Sequence, residues 1–318
     1  MTESIEVVVR SVTDEAECIR SFELVRPEGG PLPGFSAGAH IDVHTPNGKL
    51  RQYSLVNDER ETYRYIIAVQ NEETGRGGSR SMHVDVGAGT LLRIGMPRNA
   101  FPLGNHIPPT VLLAGGIGVT PLLAMARSLQ ARGKPFEFHF ATRSRASTPF
   151  LDQLLHGPFK KNTRVYHDDQ PGMKLEIDCF VDQLLPQSHL YLCGPSGFMS
   201  AVSDAAEARG DIVLHREYFG APVTEIGLSE AFSLELARSG IKTTVAADQN
   251  ILEVLQSLDI DCATSCEEGI CGTCLTKVLA GEIDHRDHFL SASEKALGDR
   301  MLVCVSRCKV GSKLILDL

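Results

Sequence analysis

Cys266-Glu267-Glu268-Gly269-Ile270-Cys271-Gly272-Thr273-Cys274 carries three cysteines spaced Cys-x4-Cys-x2-Cys, and a fourth, Cys304, follows 30 residues after the third. This is the plant-type spacing for the four thiolates of a [2Fe–2S] cluster. Three ligands then come from one wrapping loop, and the fourth closes the site from a distant strand. Gly269 and Gly272 suit such a loop, because glycine takes backbone angles that other residues avoid and lets amides approach sulfur. A structural zinc site is the plainer alternative, but zinc knuckles usually present two Cys-x2-Cys pairs. A disulfide framework fits less well, since nine cysteines is an odd number and nothing signals export.

Around this loop the chain reads as an ordinary soluble protein. At 318 residues it has room for two or three domains. Hydrophobic residues make up 42% and charged residues 22%, the balance of a globular protein. The opening Met1-Thr2-Glu3-Ser4-Ile5-Glu6 has no basic region followed by an apolar core, so no signal peptide is expected. No apolar run is long enough to cross a bilayer. Free cysteines without export place the chain in a reducing cytoplasm. A net charge of −9 argues against nucleic acid as a partner.

Residues 1–107 read as β structure. Ile5–Val12, Ile19–Val25, Ala39–His44, Arg51–Val56, Tyr63–Val69 and Thr90–Ile94 alternate or run apolar, with turn signals such as Pro46-Asn47-Gly48 between them. Six short strands with little helix predict a small closed barrel. Two stretches in it look chemical. Arg51-Gln52-Tyr53-Ser54 sets a cation, a ring and a hydroxyl along one strand. Gly75-Arg76-Gly77-Gly78-Ser79-Arg80-Ser81 leads into a helical stretch, Ser81–Val86, and offers backbone N–H groups to a phosphate. The alternatives are an exposed strand edge and a flexible loop.

Residues 108–221 alternate strand and helix. The apolar strand Thr110–Ala114 runs into Gly115-Gly116-Ile117-Gly118-Val119-Thr120-Pro121, and Leu122–Gln130 then has helical spacing. Thr120 is the expected N-cap, with Pro121 at the first helical position. Strands at Pro135–Thr142, Arg164–His167, His189–Cys193 and Ile212–Glu217, with helices between, predict a parallel sheet with its ligand site at the strands' carboxyl ends. The glycine turn can hold a pyrophosphate. It is not G-x-G-x-x-G, and no acid ends the second strand. A linker, 222–231, precedes a last segment, 232–318. There Phe232–Arg238 and Lys242–Ala246 form a hairpin, Ile251–Leu258 a helix, and Leu275–Ala280, Met301–Val305 and Lys313–Leu318 further strands.

Taken in order, Arg51-Gln52-Tyr53-Ser54, Gly77-Gly78-Ser79, the Gly115–Pro121 turn, Cys193-Gly194-Pro195 and the cysteine loop resemble the phthalate dioxygenase reductase family, a layout shared by vanillate O-demethylase reductases. Gly281-Glu282-Ile283-Asp284-His285-Arg286-Asp287 and the closing Leu314–Leu318 resemble it too. The resemblance covers essentially the whole chain. It implies an antiparallel β-barrel flavin domain at 1–107, an α/β parallel-sheet nicotinamide domain at 108–221, and an α+β β-grasp ferredoxin domain at 232–318. It further implies that Arg51, Gly78 and Ser79 hold the FMN phosphate, Tyr53 packs on the flavin, and Ser54 approaches its N5. Ala68 and Val69 would bind the ring edge through their backbone. Thr120 would border the flavin and Phe219 cover its face. Gly115, Gly116 and Gly118 would line the pyrophosphate path, and Cys193, Gly194 and Pro195 the nicotinamide. FMN is expected rather than FAD, because Gly77-Gly78-Ser79 resembles the FMN members of the family and no added segment is seen to hold an adenine.

A reduced nicotinamide releases two electrons at once and an iron–sulfur cluster takes one, so a flavin must stand between them. No general acid or base is required. Cys193 then reads as a packing residue or, preferably, as a group shaping the hydride site. Cys18, Cys179, Cys262 and Cys308 read as small, partly buried thiols. His285 and His288 mark either a docking surface or a solvated hairpin, and His167-Asp168-Asp169 a polar loop. Glu267 and Glu268 suggest an acidic face for a basic partner. Arg143, where some relatives carry an acid, leaves NADPH open beside the expected NADH. With every stretch assigned, the electrons must leave the chain. The expected partner is a separate Rieske-type oxygenase acting on an aromatic or similar compound. A diiron hydroxylase as acceptor and a redox-sensing module are the alternatives. Nothing demands more than a monomer.

Overall fold

The computed structural model describes residues 4–73, 75–105, 109–220, 230–264, 266–290 and 292–318. The chain divides into two compact units, Met1–Phe219 and Gly220–Leu318.

The first unit opens with strands β1 (Ser4–Ala16), β2 (Ile19–Val25), β3 (His40–His44), β4 (Leu50–Ser54) and β5 (Tyr65–Gln70), helix α1 (Gly78–Asp85) and strand β6 (Leu91–Gly95). The strands pair in the order β4-β3-β6-β1-β2-β5. Alternation puts Val7 and Val9, Phe22 and Leu24, Ile41 and Val43, and Leu92 and Ile94 on the inner face, where they enclose Tyr65, Ile67 and Met82. No ladder joins β4 to β5. The expected closed barrel is closed instead by the two residues after β4: Leu55 bridges Ile67, and the Val56 N–H donates to the Ile66 carbonyl at 2.8 Å. Among the described residues, no ladder pairs the other edge of Arg51–Ser54.

The chain continues with β7 (Thr110–Gly115), α2 (Val119–Ala131), β8 (Glu137–Thr142), α3 (Leu151–His156), β9 (Thr163–His167), α4 (Ile177–Gln183), β10 (His189–Cys193), α5 (Ser196–Arg209) and β11 (Val213–Glu217). The strands form a parallel sheet ordered β11-β10-β7-β8-β9. Every residue of β7 is buried, which is why this strand reads as an unbroken apolar run. On one face Leu112, Ala114, Phe138, Phe140 and Tyr191 share a core with α2 and with Ile19, Val56 and Ala68 of the barrel. On the other, Val111, Leu113, Leu190 and Leu192 pack with α4 and α5. The barrel and the parallel sheet therefore share a core where they meet. Their expected border at 107/108 lies outside the described residues.

Thr120 is not the N-cap. A 3-10 turn, Gly116–Gly118, starts the helix early, and Gly118 caps α2. Thr120 lies inside the first turn, where its hydroxyl donates to the Ile117 carbonyl at 3.1 Å, and Pro121 sits two residues past the start.

The second unit contains β12 (Phe232–Leu236), β13 (Ile241–Val245), α6 (Ile251–Ser257), β14 (Leu275–Ala280), β15 (Ile283–Asp284), α7 (Ala292–Leu297), β16 (Arg300–Leu302), β17 (Arg307–Cys308) and β18 (Lys313–Leu316). Its mixed sheet runs β13-β12-β18-β14-β16, with β15 and β17 paired separately. Ile251, Leu252, Val254 and Leu255 of α6 pack into the sheet's core. A reciprocal Asn250–Glu253 capping box starts that helix. Two expectations need correction. The segment has a second short helix, α7, and the strand expected over Met301–Val305 ends at Leu302, where Val305 and Ser306 N–H groups turn back to the Leu302 carbonyl. Of the expected linker 222–231, only Glu230 and Ala231 are among the described residues. Among the described residues no helix is long and apolar enough to cross a membrane.

Candidate functional site

The fold gathers Cys266, Cys271, Cys274 and Cys304. Cys274 and Cys304 are buried, Cys266 and Cys271 half-buried. Cys304 comes in on the turn after β16, which sets its Sγ 3.2 Å from that of Cys274. The sulfurs fall into two pairs. Within one, the hydrogen bond from Cys266 pulls the Cys271 thiol down and pushes Cys266 up. Cys304 does the same for Cys274. Backbone amides are aimed at these sulfurs: the Glu268 N–H lies 3.3 Å from Cys266 Sγ, and those of Ile270, Thr273 and Gly269 address Cys266, Cys271 and Cys304. Amides pointed at thiols stabilise negative sulfur, which is what a coordinating thiolate requires. The glycines are needed here. Gly269 and Gly272 have φ of 71° and 74°, and a Cβ on them would stand 2.5 Å from Val305 and 2.4 Å from Phe289. Four sulfurs in two pairs, wrapped in donors, fit a two-iron cluster.

In the first unit, Arg51 on β4 lies across the start of α1, since a Cβ on Gly78 would be 2.7 Å from its Nε. Gly77 takes φ 85° and, among the described residues, no side chain caps the helix, so its start lies uncapped beside the guanidinium. Asn47 braces the turn, donating to the Gly77 carbonyl at 3.0 Å. Ser79 Oγ accepts from the Glu72 N–H at 3.1 Å. Cation and helix start together make an anion cradle. Two residues along β4, the Tyr53 hydroxyl is buried without a partner among the described residues, and burial pushes its pKa up. An orphaned hydroxyl beside an anion cradle fits a phosphorylated cofactor. Ser54, last in β4, is buried. Ala68 and Val69 are buried on the edge strand β5, where the Val69 carbonyl already bonds His83 Nε2 at 2.8 Å.

β5 also meets the glycine turn after β7. Gly115, Gly118 and Gly194 interlock: a Cβ on Gly118 would stand 2.3 Å from the Cys193 carbonyl oxygen, and one on Gly194 3.0 Å from Gly115 Cα. These glycines therefore let the ends of β7 and β10 close on each other. Gly116 alone has φ 51° and open space beside it. Pro195 immediately precedes α5. Cys193 is fully buried and its thiol is pushed up by that burial. Thr120 is buried with its hydroxyl committed to Ile117. Phe219 is 39% exposed just beyond β11, and Arg143 is exposed just beyond β8.

One residue was missed. Glu217, last in β11, pairs across from Cys193. Its Oε2 is buried without a partner among the described residues, and burial raises its pKa to about 8. The available signal was a carboxylate closing a predicted strand in a sheet whose ligands bind at strand ends.

Other expectations are revised. Cys18 and Cys179 are exposed rather than partly buried, because Cys18 forms the β1–β2 turn at φ 59° and Cys179 faces outward on α4. Cys262 and Cys308 do pack against the sheet's core. His285 and His288 are half-buried, not part of a solvated hairpin. His167 is buried and its Nδ1 lies 3.0 Å from Thr142 Oγ1, while Asp168 and Asp169 are exposed.

Residues 234–309 match the family model for the 2Fe-2S iron-sulfur cluster binding domain. Over the full length the chain is 41% identical to vanillate O-demethylase oxidoreductase of Acinetobacter baylyi, covering 99% of both chains. It is also 41% identical to phthalate dioxygenase reductase of Burkholderia cepacia, covering 95% of this chain and 94% of that one. The solved structure of a phthalate dioxygenase reductase, described as modular for electron transfer from pyridine nucleotides to [2Fe-2S], superposes with a TM-score of 0.75 at 39% identity, covering 99% and 98% of the two chains. Likeness of this degree, from end to end, means that the chain belongs to the family of phthalate dioxygenase reductase and vanillate O-demethylase oxidoreductase, oxidoreductases that serve as reductase components of oxygenase systems.

Proposed function

We propose that this chain takes electrons from NADH through FMN and the [2Fe–2S] site and delivers them to a separate Rieske-type oxygenase acting on an aromatic or similar substrate. The observation that carries the proposal is the four-thiol site, with amides on its sulfurs, in a chain whose other unit holds an anion cradle and a glycine-lined crossing of two parallel strands. Flavin, when bound, accepts a pair of electrons and passes them on singly. The chain's own part is to hold and to shield. Arg51, Gly78 and Ser79 grip the phosphate, Tyr53 gains a partner for its hydroxyl, and the backbone of Ala68 and Val69 meets the ring edge. Gly115, Gly116 and Gly118 line the dinucleotide path. Cys193, Gly194 and Pro195 border the nicotinamide, and Arg143 the ribose. Ser54, Thr120, Cys193 and Phe219 surround the reacting atoms and exclude water. Cys266, Cys271, Cys274 and Cys304 hold the cluster. The functional divisions are 1–107, 108–221 and 232–318, joined by 222–231, in a monomer. Purified protein should be coloured, contain FMN and iron, and reduce cytochrome c continuously with NADH. A colourless zinc protein overturns the reading, and a greater than tenfold preference for NADPH overturns its nucleotide assignment.

A further inference from the structure

The cysteine loop is overlain by His285–Leu290, and one side chain holds that segment down. Asp287 is 1% exposed. Its Oδ2 accepts from the Leu290 N–H at 2.8 Å, and its Oδ1 accepts from Ser306 Oγ at 3.2 Å and His285 Nδ1 at 3.3 Å. Lys295 Nζ stands 3.8 Å from Oδ2 and also donates to the Asp287 carbonyl. Ser306 is fully buried two residues after Cys304, and its hydroxyl accepts from the Arg286 N–H at 3.2 Å. The carboxylate thus links the overlying segment to the turn that carries the fourth cysteine. The same segment closes on both loop glycines. The His288 N–H donates to the Gly269 carbonyl at 3.0 Å, and the Phe289 ring fills the space beside Gly272. A buried carboxylate is costly unless every lone pair is used, and this one is met from four directions.

We infer that Asp287 is a positioning residue for the iron–sulfur site: it locks His285–Leu290 against the ligand loop, keeping the loop amides on the sulfurs and solvent off the cysteines. Hydrogen bonds to sulfur and solvent exposure both tune such clusters, so the effect reaches the metal through the loop. The inference rests on the assignment of the cluster to these four cysteines.

The test compares full-length wild type with Asp287→Asn, Asp287→Ala and Ser306→Ala. Asparagine keeps the shape but offers one acceptor and turns an NH2 toward the donors. Iron release to a ferrous chelator should be about tenfold faster in Asp287→Asn, faster still in Asp287→Ala and intermediate in Ser306→Ala. The electron paramagnetic resonance spectrum of the reduced cluster should shift in Asp287→Asn. Amide exchange at His288 and Leu290 should accelerate in the same order, with flavin content unchanged. An Asp287→Asn protein releasing iron within about twofold of wild type, with a superimposable spectrum, overturns the inference. Wild type that binds no iron overturns the cluster assignment itself.

Discussion

Arg51 and Glu217 are the side chains whose chemistry is most exposed to test. Arg51 lies over Gly78 with no carboxylate partner among the described residues, so its charge is available to a phosphate. A charge-assisted bond of this kind contributes about 1.5–3 kcal/mol. Arg51→Ala should therefore weaken flavin retention by roughly tenfold or more, measured as flavin remaining after dialysis. Glu217 makes a pH prediction. Its folded pKa, about 8, lies above its ordinary value of 4.5, so the folded chain keeps a proton that the unfolded chain gives up between those values. The stability it confers is complete below the lower value and is lost as pH rises through the upper one. Glu217→Gln should flatten that decline in thermal melts taken between about pH 5 and pH 9. An unchanged slope would place the titration elsewhere.

The crossing of β7 and β10 shows why one glycine turn holds two kinds of glycine. At Gly118 the backbone is helical and the obstacle is steric: a methyl would drive into the Cys193–Gly194 peptide, which has no room to give. At Gly116 the space is open and the obstacle is the φ of 51°. Gly118→Ala should cost about 1–3 kcal/mol and raise the KM for NADH by spreading the two strand ends. Gly116→Ala should cost about 1 kcal/mol, with a smaller effect on KM. Thermal melts with steady-state kinetics distinguish the two. Sequence pattern located this turn but misplaced the helix start, since Thr120 and Pro121 look like cap and first residue until the 3-10 turn before them is seen. The period-two alternation of the barrel strands was legible for a plain reason: one face is buried and the other is not.

Across the whole chain, the two compact units make separable predictions. Cys271→Ser removes one thiolate from a site in the second unit and leaves the first untouched. Cluster absorbance and cytochrome c reduction should fall to background while NADH still bleaches the flavin. Retained cluster absorbance would mean that the ligands lie elsewhere. The shared core of barrel and parallel sheet also predicts that 1–219 melts as one unit, with flavin release and loss of β structure coinciding. Two separate transitions would count against it.

Spacing alone singled out the four cysteines, because thiolate geometry around two irons tolerates few intervals, and apolar periodicity alone pointed to barrel and parallel sheet, while the grasp came from the family resemblance. These are local regularities, written into consecutive residues. Glu217, the orphaned Tyr53 hydroxyl and the Asp287 anchor depend on which strand ends and turns come to rest together. Burial and missing or converging partners are properties of a place in the fold, and no window of sequence encodes them.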